Sequence, residues 1–331
     1  MKVVFFGTPK FAVPTLDKLL SHPKFEVVAV ITQPDKPKGR GKQLISPPVK
    51  SFAMSHNLPV LQPQRLKKDT DILTQLQASS ADVFVVVAYG QILSSQILDI
   101  PILGCINIHG SILPQYRGAA PIQWSICDGK QETGITTMLM DAGMDTGPML
   151  LMEKTTISLL DNAHDVAERL ASLGADLLIK TLVRLEQGKI KAINQDDTAA
   201  TYASLIKKED YQLDWSQTAI TIHNRIRGFY PSCVTGFRHQ SLKVMSTVPI
   251  GSSYWNLLPP RLQGLERKIP DLSILSGRTG EIVKIVKGVG AIVQTGEGLL
   301  LLQQLQVAGK RPLSGWDFVN GMRLQVGEIL G

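Results

Sequence analysis

Apolar positions follow two alternating patterns in the first part of the chain. Compact runs of β-branched and aromatic residues predict buried strands, and the stretches between them carry apolar residues at helical spacing. We predict strands over residues 2–6, 26–31, 59–61, 82–87 and 104–109, and helices over residues 11–20, 49–55 and 71–78. Near-continuous apolar strands separated by helices are typical of a parallel sheet covered on both faces. The pattern therefore predicts a Rossmann-like α/β domain in the N-terminal part.

The pattern changes in the second half. A long helix is predicted over residues 162–186, and a polar stretch over residues 193–203 follows it. Short β-like runs broken by glycines then cover residues 242–245, 280–286, 291–295 and 299–305. Evenly spaced short strands with glycine turns predict a small antiparallel β-barrel of the OB-like kind. We expect a first domain over residues 1–205, including a linker at about 190–205, and a second over residues 206–331.

Positive charge is concentrated in the second domain. Residues 1–199 carry 20 Lys or Arg against 19 Asp or Glu, a net charge of +1, whereas residues 200–331 carry 15 against 9, a net charge of +6. Such a balance indicates a polyanionic partner, with nucleic acid the leading candidate, or a solvated surface that is simply basic. Three widely spaced cysteines and no apolar run of about 20 residues favour a cytoplasmic protein without a membrane partner.

Asn107 and His109 stand two residues apart at the end of a predicted strand, so both side chains point the same way. They supply an amide donor and a ring suited to proton transfer, and a loop rich in Gly and Pro follows them. Asp145 lies in a later Asp–Gly turn, where a carboxylate could orient the ring of His109. Taken singly, a histidine at a strand end and an aspartate in a turn are equally explained as structural residues.

A basic loop follows the second predicted strand and carries Lys36, Lys38, Arg40 and Lys42. It could grip phosphates or be a solvated surface loop. Gly7-Thr8-Pro9 replaces the glycine-rich turn of dinucleotide-binding proteins, so NAD is disfavoured. The phosphate-binding loop of nucleotide-hydrolysing motors is also missing from the sequence, and the remaining histidines lack the spacing of metal ligands.

Residues 107–118, with the pattern Asn-x-His-Gly-Ser-Ile-Leu-Pro-x-Tyr-Arg-Gly, resemble the hallmark of the 10-formyltetrahydrofolate-dependent formyltransferases. Residues 6–12, 33–42, 87–90, 200–203, 208–210, 214–215 and 305–311 extend the resemblance over nearly the whole chain. Within this family, the chain is most similar to members that formylate methionyl-tRNA. Residues 251–276 depart from the family pattern because this segment is longer than usual.

The resemblance implies a set of functional residues. The catalytic set would be Asn107, His109 and Asp145. The folate contacts would be Ser111, Ile112, Leu113 and Pro114 and, more loosely, Tyr89, Gly90, Gln91, Ile92 and Met140. The tRNA contacts would be Lys36, Lys38, Arg40, Lys42, Lys207 and Lys208.

The implied reaction moves a formyl group from 10-formyltetrahydrofolate to the α-amine of initiator methionyl-tRNA, for translation initiation. The resemblance implies no metal, and we expect a monomer. Three other functions stay open: formylation of a small amine such as an amino sugar, a folate-dependent hydrolase that releases formate, and an RNA-binding module with an inactive first domain. The basic second domain argues against the first of these, and the intact residues Asn107, His109 and Asp145 argue against the last.

Overall fold

The structure, a computed structural model, describes residues 1–38, 43–262, 264–269 and 275–331. Arg40 and Lys42, both predicted to contact tRNA, lie outside the described residues, as does the side chain of Lys38. Two compact units are present. The first comprises Met1–Pro121, Thr133–Thr155 and Ala167–Ala203, and the second comprises Ile122–Glu132, Thr156–Val166 and Ser204–Gly331.

Eleven strands are described up to residue 203. They are β1 (Lys2–Gly7), β2 (Glu26–Ile31), β3 (Lys36–Lys38), β4 (Gln43–Ile45), β5 (Val60–Leu61), β6 (Val83–Val87), β7 (Cys105–His109), β8 (Arg117–Gly118), β9 (Glu132–Leu139), β10 (Met149–Thr156) and β11 (Tyr202–Ala203). The helices of the same part of the chain are α1 (Val13–Ser21), α2 (Pro48–Ser55), α3 (Thr70–Ala78), α4 (Ser95–Leu98), α5 (Pro121–Cys127) and α6 (Ala163–Glu186).

Seven of these strands form one sheet in the order β10-β9-β7-β6-β1-β2-β5. The five strands from β7 to β5 are parallel, and β9 runs antiparallel to β7. All five residues of β6 are buried, as expected for a central strand covered on both faces. The predicted Rossmann-like parallel sheet is therefore confirmed. Its first predicted strands and helices all form, with bounds that differ by no more than a few residues.

Local sequence explains where the helices begin. Pro14 stands in the first turn of α1, where its missing N–H costs no hydrogen bond. Asp69 caps α3 by accepting a hydrogen bond from the backbone N–H of Ile72 at 3.1 Å. The apolar face of α3, including Leu73 and Leu76, then packs against the sheet in a core with Phe84. Burial of this face, more than helix propensity, holds the short helix in place.

The second unit contains a sheet of six strands: β12 (Val234–Phe237), β13 (Gln240–Ile250), β14 (Ile282–Val286), β15 (Gly290–Gln294), β16 (Leu299–Val307) and β17 (Leu313–Ser314). Their order is β12-β13-β16-β15-β14, with β17 paired to β16, and the pairs are antiparallel. The remaining helices are α7 (Ala219–Gly228), α8 (Ser252–Trp255), α9 (Leu265–Lys268) and α10 (Gly315–Met322).

The last residues of the chain join the two free edges of this sheet. On one side, the backbone N–H of Leu330 donates to the carbonyl of Gly280, two residues before β14, at 2.8 Å. On the other side, Gly331 donates to Gly236 in β12 at 3.1 Å. The backbone hydrogen bonding therefore continues around the sheet, and the predicted antiparallel C-terminal domain is confirmed.

The segment that departs from the family pattern packs onto one end of this sheet. Leu258, Leu265 and Ile269 are buried against Val248 of β13 and Leu299 of β16. Residue 263 and residues 270–274 of this segment lie outside the described part of the chain. Within the described part, the segment contributes apolar side chains to a second small core.

Candidate active site

The carboxyl ends of β1 and β6 adjoin each other at the centre of the parallel sheet, where open α/β sheets bind ligands. The hydroxyl of Thr8, directly after β1, donates to the backbone carbonyl of Tyr89 at 2.8 Å. The amide of Gln33 donates to the same carbonyl at 3.3 Å. The phenol of Tyr89 is buried in the core, and this burial raises its pKa above the usual value. Tyr89 therefore offers its backbone, and not its side chain, to this rim.

Asn107 and His109 end strand β7, and both reach the carboxylate of Asp145. Nδ2 of Asn107 donates to Oδ1 of Asp145 at 3.3 Å. Nδ1 of His109 lies 3.6 Å from Oδ2 of the same residue, an ion-pair distance that exceeds an ordinary hydrogen bond. The structure thus brings together three side chains from two distant stretches of sequence. Their period-2 spacing on β7 explains why the amide and the ring face the same carboxylate.

The ring of His109 is held on its other side by the chain itself. His109 is 5% exposed, and its Nε2 lies 2.9 Å from the backbone carbonyl oxygen of Tyr116. Because a carbonyl only accepts, Nε2 is the donor in this contact. A neutral ring in this tautomer would turn the lone pair of Nδ1 toward the carboxylate of Asp145. A ring protonated on both nitrogens would instead donate in both directions.

Asp145 has a left-handed backbone conformation, and its carboxylate is bound by a second loop. Its φ angle is +55°, a left-handed conformation that costs free energy for residues other than glycine, although Asp and Asn tolerate it better than most. The backbone N–H of Gly118 donates to Oδ2 of Asp145 at 2.8 Å, so the carboxylate is bound from a second loop. Two residues on, Gly147 passes so close to Leu139 that an added Cβ would overlap the Leu139 carbonyl oxygen. The turn over residues 140–148 can therefore fold back against the end of β9.

A cavity of about 350 Å³ opens beside this cluster. Its lining includes Asp145 itself together with the apolar side chains of Leu93, Met138, Met140 and Met144. Asp141 contributes a second carboxylate to the wall. The volume is within the range of pockets that bind small organic ligands, and a mostly apolar wall with a few polar groups is typical of such pockets.

The residues predicted to contact folate fall into two groups. Gln91, Ile92 and Met140 line the cavity. Ser111 and Leu113 are instead buried in the loop that follows β7. The hydroxyl of Ser111 donates to the carbonyl of Gln115, and the hydroxyl of Thr136 donates to the carbonyl of Ser111 at 2.7 Å. Ile112 and Pro114 are partly buried in the same loop, and Tyr89 and Gly90 lie at the end of β6.

The predicted tRNA-contacting lysines that the structure describes are all exposed. Lys36 lies on the short β3–β4 hairpin of the first unit, and Lys207 and Lys208 lie near the start of the long C-terminal stretch of the second. Lys50, a further cation that follows the basic loop in the sequence, is instead partly buried and paired with a carboxylate. Its ammonium contacts the carboxylate of Asp35 at 2.8 Å, and this hydrogen bond lowers the pKa of Asp35 below its usual value.

Two residues that support the turn at Asp145, Gln195 and Arg117, were not identified from the sequence. Gln195 donates to the backbone carbonyls of Asp145 and Gly147, both at 2.8 Å. Arg117 is 1% exposed, and its Nε donates to the amide oxygen of Gln195 at 2.9 Å. Arg117 belongs to the family-like loop, but Gln195 falls in a polar stretch that reads as a linker. The only signal in the sequence was the unusually polar composition of residues 193–203.

In the part of the chain that the structure describes, no group of three or more His, Cys, Asp or Glu residues is placed to hold a metal ion. Over the same residues, no helix combines the length and the apolar composition needed to cross a membrane.

Comparison with known proteins shows which family the chain belongs to. Residues 1–182 match the model of the formyl transferase family, and residues 205–323 match the model of the formyl transferase C-terminal domain. A methionyl-tRNA formyltransferase of Trichormus variabilis is 65% identical over 331 residues, covering 100% of this chain and 99% of the relative. A methionyl-tRNA formyltransferase of Synechocystis sp. is 52% identical and covers 98% of both chains.

Solved structures with low sequence identity share the fold. An N-formyltransferase from Helicobacter canadensis, in complex with folinic acid and dTDP-3-aminofucose, aligns with a TM-score of 0.64 at 18% identity. The alignment covers 92% of this chain and 99% of that one. HypX from Aquifex aeolicus, in complex with tetrahydrofolic acid, aligns with a TM-score of 0.60 at 12% identity, over 99% of this chain and 48% of that one.

Proposed function

Since the chain belongs to the formyl transferase family, we propose that it transfers the formyl group of 10-formyltetrahydrofolate to the α-amine of methionyl-tRNA. The observation that carries the proposal is the convergence of Asn107, His109 and Asp145 beside an open cavity. Amide, imidazole and carboxylate groups in contact at a strand end are suited to acyl transfer, in which an oxyanion forms and protons move.

The acceptor amine needs little activation. An α-amino group has a reference pKa of about 8, so a useful fraction is neutral near pH 7. The harder task is to stabilise the negative oxygen that develops when the amine attacks the formyl carbon. Nδ2 of Asn107 carries two hydrogens and contacts Asp145 through one of them. We assign the other to the developing oxyanion, where one donor is worth about 3–4 kcal/mol of barrier.

His109 and Asp145 act as a pair in this proposal. A doubly protonated ring would donate to Asp145 through Nδ1 and, through Nε2, to the oxyanion. It would then protonate the folate nitrogen as the bond between that nitrogen and the formyl carbon breaks, and the proton lost by the attacking amine would restore the ring. Nε2 is engaged by the carbonyl of Tyr116 in this structure, so substrate binding must compete for it. Asp145 holds the charged ring in place and stabilises the positive charge beside it.

The cavity at Asp145 is the proposed folate site. Met138, Met140, Met144 and Leu93 give it an apolar wall that suits a flat heteroaromatic ring, and Asp141 offers an acceptor for ring N–H groups. The loop over residues 111–114 acts by shaping this end of the sheet through the bonds that Ser111 makes to Thr136 and Gln115. Formyl donor and acceptor amine would meet at Asn107 and His109.

The basic second domain and the names of the full-length relatives support tRNA as the acceptor. We propose that Lys207 and Lys208 bind the tRNA backbone, and that Lys36, Lys38, Arg40 and Lys42 do so from the basic loop. The domain roles follow: residues 1–205 carry the chemistry, and residues 206–331 contribute tRNA binding. We further propose a monomer that acts in the cytoplasm on the initiator tRNA during translation initiation.

A single assay separates the acceptors. The full chain is supplied with 10-formyltetrahydrofolate and with methionine-charged initiator tRNA, methionine-charged elongator tRNA, a nucleotide-linked amino sugar, or no acceptor. We expect rapid formyl transfer to initiator tRNA, slower transfer to elongator tRNA, and none to the sugar. Formate release without an acceptor at the rate seen with tRNA would identify a hydrolase. Transfer to the sugar alone would identify a small-amine formyltransferase.

A further inference from the structure

Residues 193–203, which we term the strap, bind the turn that carries Asp145 and the loop that follows Asn107 and His109 on β7. At one end of the strap, Ile193 exchanges backbone hydrogen bonds with Met149 of β10, at 2.8 and 2.9 Å. At the other end, β11 pairs in parallel with β8, directly after the loop that follows β7. Thr201 accepts a hydrogen bond from the backbone of Tyr116 at 2.8 Å. The strap is thus fastened at several points within the first unit.

Gln195 is the side chain of the strap that reaches the catalytic turn. Its Nε2 donates to two backbone carbonyls, those of Asp145 and Gly147, at 2.8 Å each. Its Oε1 accepts from Nε of Arg117 at 2.9 Å. Both hydrogens of the amide nitrogen and the amide oxygen are therefore engaged, and the side chain is partly buried.

Arg117 determines which way the amide of Gln195 faces. Arg117 is almost fully buried, and its guanidinium can only donate, so the oxygen of Gln195 must point toward it. The nitrogen is then directed to the two carbonyls of the turn. Nη2 of Arg117 also contacts Asp197 of the strap at 2.8 Å, although Asp197 is 82% exposed and holds the guanidinium only from the solvent side.

We propose that Gln195 is a positioning residue for the reaction, acting through the backbone of residues 145–147 to hold the carboxylate of Asp145 against Asn107 and His109. This inference rests on the proposed function and deepens it. It assigns a catalytic contribution to a residue of the segment that connects the two domains in sequence. Gln195 itself touches no reacting group.

The left-handed backbone of Asp145 explains why the turn needs the hydrogen bonds from Gln195. With φ at +55°, the residue gains by relaxing toward an ordinary conformation unless neighbours hold it. The two bonds from Gln195 hold the carbonyls on either side of residue 146. The contacts to Asn107 at 3.3 Å and to His109 at 3.6 Å are already long, so a carboxylate displaced further from either residue would lose them. A displacement of about 1 Å in an active site costs on the order of 100-fold in rate.

Three variants of the full chain test the proposal. Gln195→Ala removes all three bonds. Gln195→Glu is nearly isosteric and keeps an acceptor for Arg117, but it replaces the donor with a second oxygen facing the two carbonyls. Thr198→Ala is the matched control, because Thr198 lies in the same strap and its side chain contacts Asp196 alone among the hydrogen bonds described.

We expect Gln195→Ala and Gln195→Glu to lower kcat by about 10- to 100-fold while KM for each substrate changes by less than about 3-fold. Thr198→Ala should match the wild type. Amide hydrogen exchange of residues 140–148 provides a readout independent of activity: exchange there should speed up in both Gln195 variants and stay unchanged in Thr198→Ala. If Gln195 served packing alone, Gln195→Glu would preserve that role. The kcat of this variant would then stay near the wild-type value.

The proposal is overturned if Gln195→Glu turns over like the wild type, or if exchange of residues 140–148 is the same in all variants. If Gln195→Ala does not fold, Gln195→Glu decides by itself. Failure of the proposed function has a different signature, since the wild-type chain would then transfer no formyl group to methionyl-tRNA. The exchange measurement would still support or overturn the positioning role in that case.

Discussion

Two polar clusters, one in each unit, are each built around a buried histidine but hold it in opposite ways. The cluster of the first unit joins His109 to the carboxylate of Asp145 and adjoins an open cavity. The cluster of the second unit contains His223, 2% exposed, whose Nε2 donates to the carbonyl of Leu159 at 2.8 Å. Its Nδ1 lies 3.0 Å from the hydroxyl of Thr247. One histidine faces an anion, and the other has two neutral partners.

Arg227 is a second buried, titratable side chain in the cluster of the second unit. Its described hydrogen bonds run to the amide oxygen of Asn224 and to the backbone carbonyls of Ser158 and Asp161, and the carboxylate of Asp161 raises the pKa of the guanidinium against the larger effect of burial. Burial lowers the pKa of Arg227 to about 10, and burial also lowers the pKa of His223 to about 4. Helix α7 uses these two side chains to bind residues 158–161. Proton transfer therefore requires more than a buried histidine: it requires a charged partner and access for a substrate.

The sharpest test of this contrast compares the two histidines by turnover. We expect His109→Ala to lower kcat by about 100- to 1,000-fold, because an oxyanion donor and a proton donor are removed together. We expect His223→Gln to keep kcat within about 3-fold of the wild type at pH 7.5, because its ring is hydrogen-bonded to Thr247 and Leu159 and to none of the candidate catalytic residues. Steady-state kinetics of both variants, at a temperature where circular dichroism shows each to be folded, provide the measurement.

Asn107→Ala and Asp145→Ala serve as positive controls for the first cluster and should each reduce turnover by orders of magnitude. Equal reductions in His109→Ala and His223→Gln, with both proteins folded, would remove the distinction between the two clusters.

The second test concerns stability in acid. The folded-state pKa of His223 is about 4 against an ordinary value of 6.5, so the unfolded chain takes up this proton first as pH falls. Stability from the neutral buried ring is fully present above pH 6.5 and is lost progressively as pH falls from there through about 4. The total loss is about 3 kcal/mol. Urea unfolding from pH 7.5 to pH 3.5 covers this range.

His223→Gln should be less stable than the wild type at pH 7.5 but should lose less stability on acidification, so the two curves converge. Carboxylates elsewhere titrate in both proteins and cancel in the difference. His164→Gln, at an exposed position of the second unit, should follow the wild-type curve. Parallel curves for His223→Gln and the wild type would show that His223 is not the source of acid sensitivity.

Glycines give a third comparison between the units. A methyl group on Gly147 would overlap the carbonyl oxygen of Leu139, so Gly147→Ala must displace the catalytic turn. We expect it to lower the free energy of unfolding by about 1–3 kcal/mol and to reduce kcat as well. Gly321 lies in α10 with nothing within 4 Å of an added Cβ, and Gly321→Ala should stabilise by about 0.5–1 kcal/mol.

Thermal and urea unfolding of the two alanine variants measure this pair. A neutral Gly147→Ala would mean that the turn tolerates displacement, which would also weaken the case for close positioning of Asp145.

Much of the sheet in the first unit could be predicted from the sequence alone. The apolar runs predicted the strands of the parallel sheet because burial on both faces leaves a continuous local signal, as in β6. Asn107 and His109 could be paired because period-2 geometry is local. Their contact with Asp145 was predicted only from family resemblance, since a turn 36 residues beyond His109 has no local signal of what it touches.

Other features depended on tertiary contacts with no local pattern. Gln195 lies in a polar stretch without periodicity, and its role follows from where Arg117 and the turn at Asp145 meet it. Strand β13 extends over Gln240–Ile250, whereas only residues 242–245 were predicted, because Pro249 and polar residues break the pattern. Its pairing with β16 compensates for the weak local preference. Residues 122–132 and 156–166 likewise join the second unit through contacts made far along the chain.

The smallest effect we predict concerns the exposed charge of the second unit. Lys207 and Lys208 form an adjacent, exposed pair, and removing one lysine–phosphate interaction flattens the slope of log affinity against log salt by about 0.9. The double variant Lys207→Ala, Lys208→Ala should therefore bind methionyl-tRNA a few-fold more weakly at low salt, with a slope reduced by about 2. Its kcat at saturating tRNA should be unchanged, because neither lysine belongs to the catalytic cluster.

Lys67 and Lys68, an adjacent exposed pair in the first unit, provide the matched double variant, which should retain both affinity and slope. If both double variants reduce the salt slope of tRNA binding equally, tRNA affinity depends only on net charge. The lysines of the second unit then have no special part in binding tRNA. If the variant at Lys207 and Lys208 instead has a reduced kcat, the assignment of the chemistry to the first unit alone is wrong.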